Sequence, residues 1–116
     1  NGQAVTQQRM STTFDFPQAS QTVTARVWSE QLPNRVAHTI LKDPAQPAFD
    51  LPEATVPPDQ FVVLGDNRDH SLDTRFWRYP QWSFVDRQAI KGLAEIIYWS
   101  WDENYLPRPS RLLQSL

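Results

Sequence analysis

Residues 65–75 read Gly-Asp-Asn-Arg-Asp-His-Ser-Leu-Asp-Thr-Arg, eleven positions holding three carboxylates, two guanidiniums, an imidazole, an amide and two hydroxyls. Aspartates and arginines at this spacing can form bidentate pairs that stiffen a loop, and a stiff loop can hold one hydroxyl in a defined place. The plainer alternative is a solvated turn behind a strand, its charges pairing with one another. A calcium loop starting at Asp66 fails because Arg68 stands where an oxygen ligand is needed, and one starting at Asp69 lacks the glycine and the terminal glutamate. A Ser-His-Asp triad from His70 and Ser71 is disfavoured, since neighbours in an extended chain point apart. A phosphate cradle lacks its glycines and its following helix.

These residues must be positioned by the elements around them. The run Gln60-Phe61-Val62-Val63-Leu64 suits a buried strand ending at Gly65, a residue that permits close backbone approach or positive φ. Upstream, residues 21–32 alternate with β-branched and aromatic side chains, Pro33-Asn34 punctuate, and residues 35–41 resume, which predicts a β-hairpin. Residues 93–101, rich in β-formers between Gly92 and Asp102, predict another strand; residues 86–91 predict about one helical turn. Five of the ten prolines fall within residues 43–59, where no regular element is expected, and the tail around residues 107–111 is expected to be mobile. The fold class is therefore all-β, mainly antiparallel sheets with long loops. Its divisions are a hairpin-containing segment over 1–42, a proline-rich linker over 43–59, a core segment over 60–102 and a tail over 103–116.

Composition narrows the function. With 116 residues the chain is one small domain, and 11 Lys+Arg against 13 Asp+Glu give a net charge of −2. The nine arginines and two lysines are scattered, which excludes a nucleic-acid binder. The lack of cysteine excludes disulfides, Cys-ligated zinc and thiol nucleophiles, and no histidine or carboxylate cluster has metal-ligand spacing. No apolar run is long enough to span a bilayer. Trp28 reads as a core or sheet-face residue, His38 as surface or half-buried, Lys42 and Lys91 as solvated lysines, and Trp77 as a packing anchor against the charged loop.

Residues 56–77, Val-Pro-Pro-Asp-Gln-Phe-Val-Val-Leu-Gly-Asp-Asn-Arg-Asp-His-Ser-Leu-Asp-Thr-Arg-Phe-Trp, closely resemble the signature V-P-x-x-x-x-x-x-G-D-N-R-D-N-S-x-D-S-R-x-W of bacterial type I signal peptidases. Residues 84–102 resemble that family's closing strand, and Asn1-Gly2-Gln3-Ala4-Val5 its "NGxxV" strand. His70 stands where the family has asparagine, Thr74 where it has serine, and residues 78–82 form an insertion after Trp77.

The resemblance implies a membrane-anchored serine peptidase on the external face of the bacterial cytoplasmic membrane. It would remove signal peptides from preproteins with small residues before the scissile bond, by a serine nucleophile and an unprotonated lysine base. The family's S-M-x-P-type and K-R-x-x-G-x-P-G-D-type motifs do not occur here: Met10 follows Arg9, and neither Lys42 nor Lys91 has the lysine motif around it. The chain, which starts at Asn1, is accordingly expected to be the C-terminal part of the catalytic region, inactive alone, with no cofactor and no metal. By resemblance, Ser71 hydrogen-bonds the catalytic lysine. Asp73 and Arg75 form a salt bridge beneath the site, Asp66 and Arg68 hold the same region in shape, and Asn67 and Asp69 supply loop hydrogen bonds. The expected partners are signal peptides, a membrane surface touched by Trp99 and Trp101, and a second copy paired or strand-exchanged through exposed sheet edges. The alternative function is a non-catalytic β module that binds an extended peptide at a sheet edge.

Overall fold

The computed structural model describes residues 3–33, 36–102 and 104–115. Its largest element is a three-stranded antiparallel sheet of β1 (Thr6–Gln18), β2 (Gln21–Gln31) and β3 (His38–Lys42), in that spatial order. β1 and β2 run in register from Gln18↔Gln21 to Thr6↔Gln31, broken by a bulge between Arg9 and Thr13. Ala19, at φ 52°, takes the left-handed conformation that lets a two-residue turn join them. The hairpin expected from residues 21–41 is β2 paired with β3 (Trp28↔Ile40, Ser29↔Thr39, Glu30↔His38). Of its turn, Asn34 and Arg35 lie outside the described residues, as do Asn1 and Gly2 of the "NGxxV" segment; residues 3–5 carry no strand. β1 itself was not expected, because its polar and threonine-rich sequence shows little apolar alternation.

Two short pairings complete the all-β architecture: β4 (Gln60–Phe61) with β5 (Val85–Asp86), and β6 (Ile96–Ile97) with β7 (Gln114–Ser115). Arg87–Ala89 form a 3₁₀ turn, close to the helical turn expected over 86–91. Among the described residues no helix is long and apolar enough to cross a membrane.

Three expectations need correction. The run over 60–64 is not a buried strand: only Gln60 and Phe61 pair, and Phe61, Val63 and Leu64 are exposed. Beyond them the backbone bonds to a side chain instead of a neighbouring strand, with Val63 N donating to Thr74 Oγ1 at 3.2 Å and Thr74 Oγ1 donating to Val63 O at 2.7 Å. The strand expected over 93–101 shrinks to β6 because its partner is the tail. There Pro107 and Pro109, which have no N–H to donate, leave only a bridge at Trp101↔Pro107. The tail, expected to be mobile, therefore forms a 3₁₀ turn (Pro109–Arg111) and β7, with Leu113 N donating to Ile97 O at 2.7 Å.

The buried hydrophobic residues are Ala25, Val27 and Ile40, against the buried polar residues Glu30, Asp43, Asp73, Thr74, Arg75 and Ser83. So small an apolar core leaves hydrogen-bonded charge to fix the loops, and those charges lie in or against residues 65–75.

Candidate functional site

The loop over 65–75 is built as an extra rung on the sheet. Leu41 N donates to Asp66 O and Arg68 N to Leu41 O, each at 2.9 Å, so Asn67 bridges β3 in parallel. Beyond that rung the chain returns beside its own start, and Asp73 closes the turn. Its Oδ1 accepts from Arg75 N (3.1 Å) and Nε (2.8 Å), while Oδ2 accepts from Arg75 Nη2 (2.7 Å) and Gly65 N (2.9 Å). Burial alone would raise this carboxyl's pKa. The Arg75 bond, the Gly65 and Arg75 backbone N–H groups and the Arg75 charge outweigh it and hold the carboxyl far below the usual range. Arg75 Nη2 also donates to Arg68 O at 2.6 Å, and the guanidinium lies over Phe49 and Phe76, 5.6 and 5.2 Å from their centroids.

Arg68 finds its partner outside the loop. Both terminal nitrogens donate to the Glu30 carboxylate on β2, Nη1 to Oε2 at 2.8 Å and Nη2 to Oε1, while Nε donates to Gly65 O at 3.2 Å. Glu30 also accepts from Gln7 Nε2 at 2.5 Å and pairs with His38 Nε2 at 3.1 Å. Burial opposes its ionisation, but the Arg68 and Gln7 bonds and the Arg68 and His38 charges hold its pKa at about 2 instead of the ordinary 4.5.

The remaining expected site residues divide as follows. Ser71 lies directly against Gly65: a Cβ there would overlap the Ser71 Cβ and Oγ, so Gly65 is required for close approach and not for a left-handed φ. Ser71 Oγ makes no hydrogen bond among the described residues and borders a cleft with Gln18, Gln46, Asp69, His70, Leu72 and Phe76. Asp66 is exposed, and among the described residues its side chain accepts only from Asn67 N, at 2.9 Å. Asp69 Oδ2 accepts from Asp43 N at 2.7 Å. Asn67 Oδ1 is buried without a partner among the described residues. Thr74, which replaces serine, keeps its hydroxyl bonded to Val63, and residues 78–82 fold into a tight turn bridging Arg78 and Gln81. Trp77 is half exposed but anchored, its Nε1 donating to Leu72 O at 3.1 Å.

Lys42 is not the solvated lysine expected: Nζ donates to Gln7 Oε1 at 2.5 Å and lies 5.0 Å from the Trp28 ring centroid. Trp99 and Trp101 are stacked edge to face at 5.2 Å and each is about half exposed. Sequence reasoning missed Glu30, Asp43 and Phe49. The loop already contains carboxylates enough for both arginines, so nothing called for Glu30, and Phe49 sits in a segment read as linker.

A family model described as signal peptidase, peptidase S26, matches residues 1–99. Signal peptidase I of Leptolyngbya laminosa is 50% identical over 44 residues, 38% of this chain and 19% of that protein. The Aquifex aeolicus signal peptidase I is 49% identical over 45 residues, 39% of this chain and 16% of its relative. Signal peptidase I of Pseudomonas fluorescens is 32% identical over 97 residues, which is 76% of this chain and 34% of that protein. The chain thus spans about a third or less of the length of these curated relatives. No solved structure matches it. With the family model covering all but the last residues, the chain belongs to the peptidase S26 signal peptidase family.

Proposed function

We propose that this chain is the part of a type I signal peptidase that positions the general base. In this reading the serine nucleophile and the base lysine come from motifs outside these 116 residues. The observation that carries it is the placement of Ser71: a hydroxyl with no partner among the described residues, on a loop pinned by the Asp73–Arg75 and Glu30–Arg68 pairs. Such a hydroxyl can hydrogen-bond a neutral lysine amine and aim its lone pair at the nucleophile, as a lysine base requires. Asp73, Arg75, Asp66, Arg68, Gly65, Asn67 and Asp69 keep that hydroxyl in place; Asp66 does so only through its local turn. The substrates are signal peptides of exported preproteins, met at the external face of the bacterial cytoplasmic membrane. With nucleophile and base both elsewhere, the purified 116-residue chain should not cleave a signal-peptide substrate. Turnover by this chain that Ser71→Ala abolishes would make Ser71 a nucleophile and overturn the proposal.

Membrane contact is assigned to the β6–β7 end. Trp99 and Trp101 combine half-exposed rings with indole N–H groups, and Arg108 and Arg111 lie close in sequence. Trp101 emission in single-tryptophan variants should shift to the blue on adding anionic vesicles. Emission indifferent to lipid would remove this surface from the proposal.

A further inference from the structure

His70 stands where the family pattern has asparagine, and its ring joins three parts of the chain. Nε2 is 2.9 Å from Asp43 Oδ2, just beyond β3, and Nδ1 is 3.0 Å from Gln18 Nε2, at the end of β1. The ring meets Phe16 edge to face, with centroids 5.1 Å apart. Only 10% of the His70 side chain and 6% of that of Asp43 remain exposed. Gln18 and Asp43 thus occupy the hydrogen-bonding positions of both ring nitrogens.

Asp43 is itself fixed on both sides, Oδ1 accepting from Ala45 N at 2.8 Å and its own N–H donating to Asp69 Oδ2 at 2.7 Å. The two residues immediately before Ser71 are therefore both tied to Asp43. Ser71 Oγ has no bond of its own within the described residues, so its direction is set by the backbone that these ties hold. An asparagine side chain, shorter than histidine's, would not span Gln18 and Asp43 together.

We infer that His70 is a positioning residue for Ser71: with Asp43 and Gln18 it locks the Ser71 end of the loop to the ends of β3 and β1. This rests on the reading of Ser71 as the partner of the lysine base. The test is a cycle in the full-length protein, with His70→Ala and Asp43→Ala made in the Ser71 and Ser71→Ala backgrounds and turnover of a signal-peptide substrate measured. One lost hydrogen bond predicts that each single variant lowers kcat about three- to tenfold, with KM changed less than about twofold. The double variant should be no worse than either single, and Asp43→Asn, which keeps an acceptor for Nε2, should recover part of the loss. In the Ser71→Ala background neither change should lower kcat further. The inference is overturned if His70→Ala leaves kcat unchanged, or lowers it by the same factor with and without Ser71, as a general loss of structure would. A silent Ser71→Ala would instead refute the site reading, which separates the two failures. If His70→Ala does not fold, His70→Asn replaces it, with a loss of about threefold expected and an unchanged kcat counting against the inference.

Discussion

Replacing Asp73 by alanine is expected to destabilise the chain by about 3–5 kcal/mol, the cost of leaving a buried guanidinium without its counter-charge. Arg75 is 8% exposed and Asp73 5%, so water cannot take over the lost contacts. Asparagine should not rescue the fold. All four contacts to the Asp73 oxygens come from donors, two on each oxygen, and whichever side the amide NH₂ takes it faces N–H groups. In thermal unfolding both variants should melt at least about 10 °C below the wild type. Asp66→Ala is the control. Asp66 is exposed and accepts one local N–H, so its loss should stay within about 0.5 kcal/mol. Equal melting temperatures for the Asp73 and Asp66 variants would mean that the bidentate pair does not hold the loop.

The second large effect is acid lability through Glu30. A carboxyl with pKa about 2 when folded and 4.5 when unfolded binds fewer protons folded than unfolded across that window. Its contribution is therefore fully present above about pH 5 and is lost as the pH falls toward 2; a shift of this size corresponds to up to about 3 kcal/mol. Asp73 and Asp43, both shifted downward, add in the same direction, so the variant comparison isolates Glu30. Glu30→Gln should be less stable at pH 7 and should lose less stability than the wild type between pH 5 and pH 2. Glu30→Ala, which strands Arg68 (13% of its side chain exposed), should cost about 3–5 kcal/mol at pH 7. Chemical unfolding at a series of pH values measures both; parallel pH curves for wild type and Glu30→Gln would contradict the assigned pairing.

The parts of this fold legible in the sequence were those with a local signal. The β2–β3 hairpin shows alternation on both sides of a proline-containing turn, whereas the Asp73–Arg75 pair is what the family resemblance implied. What stayed hidden depends on distant partners. Gln60 to Leu64 looks like a buried strand because four successive apolar residues do not reveal whether another strand covers them, and here Val63 bonds to the Thr74 side chain. The loop offers Arg68 three aspartates, and only the sheet brings Glu30, 38 residues away, to both of its terminal nitrogens. Asp43 and Phe49 lie among prolines that advertise irregular structure, yet Asp43 anchors His70 and Phe49 covers Arg75.

In the proposed function Ser71 acts through the base and not through the fold or the substrate. The most direct measurement is steady-state cleavage of a signal-peptide substrate by the full-length protein with and without Ser71→Ala, alongside its melting temperature. Loss of one hydrogen bond to the lysine, which becomes charged as it takes the nucleophile's proton, is worth about 1.5–3 kcal/mol and predicts a fall in kcat of about ten- to a hundredfold, with KM within about twofold and melting unchanged. An unchanged kcat, or a loss that appears wholly in KM, would contradict it.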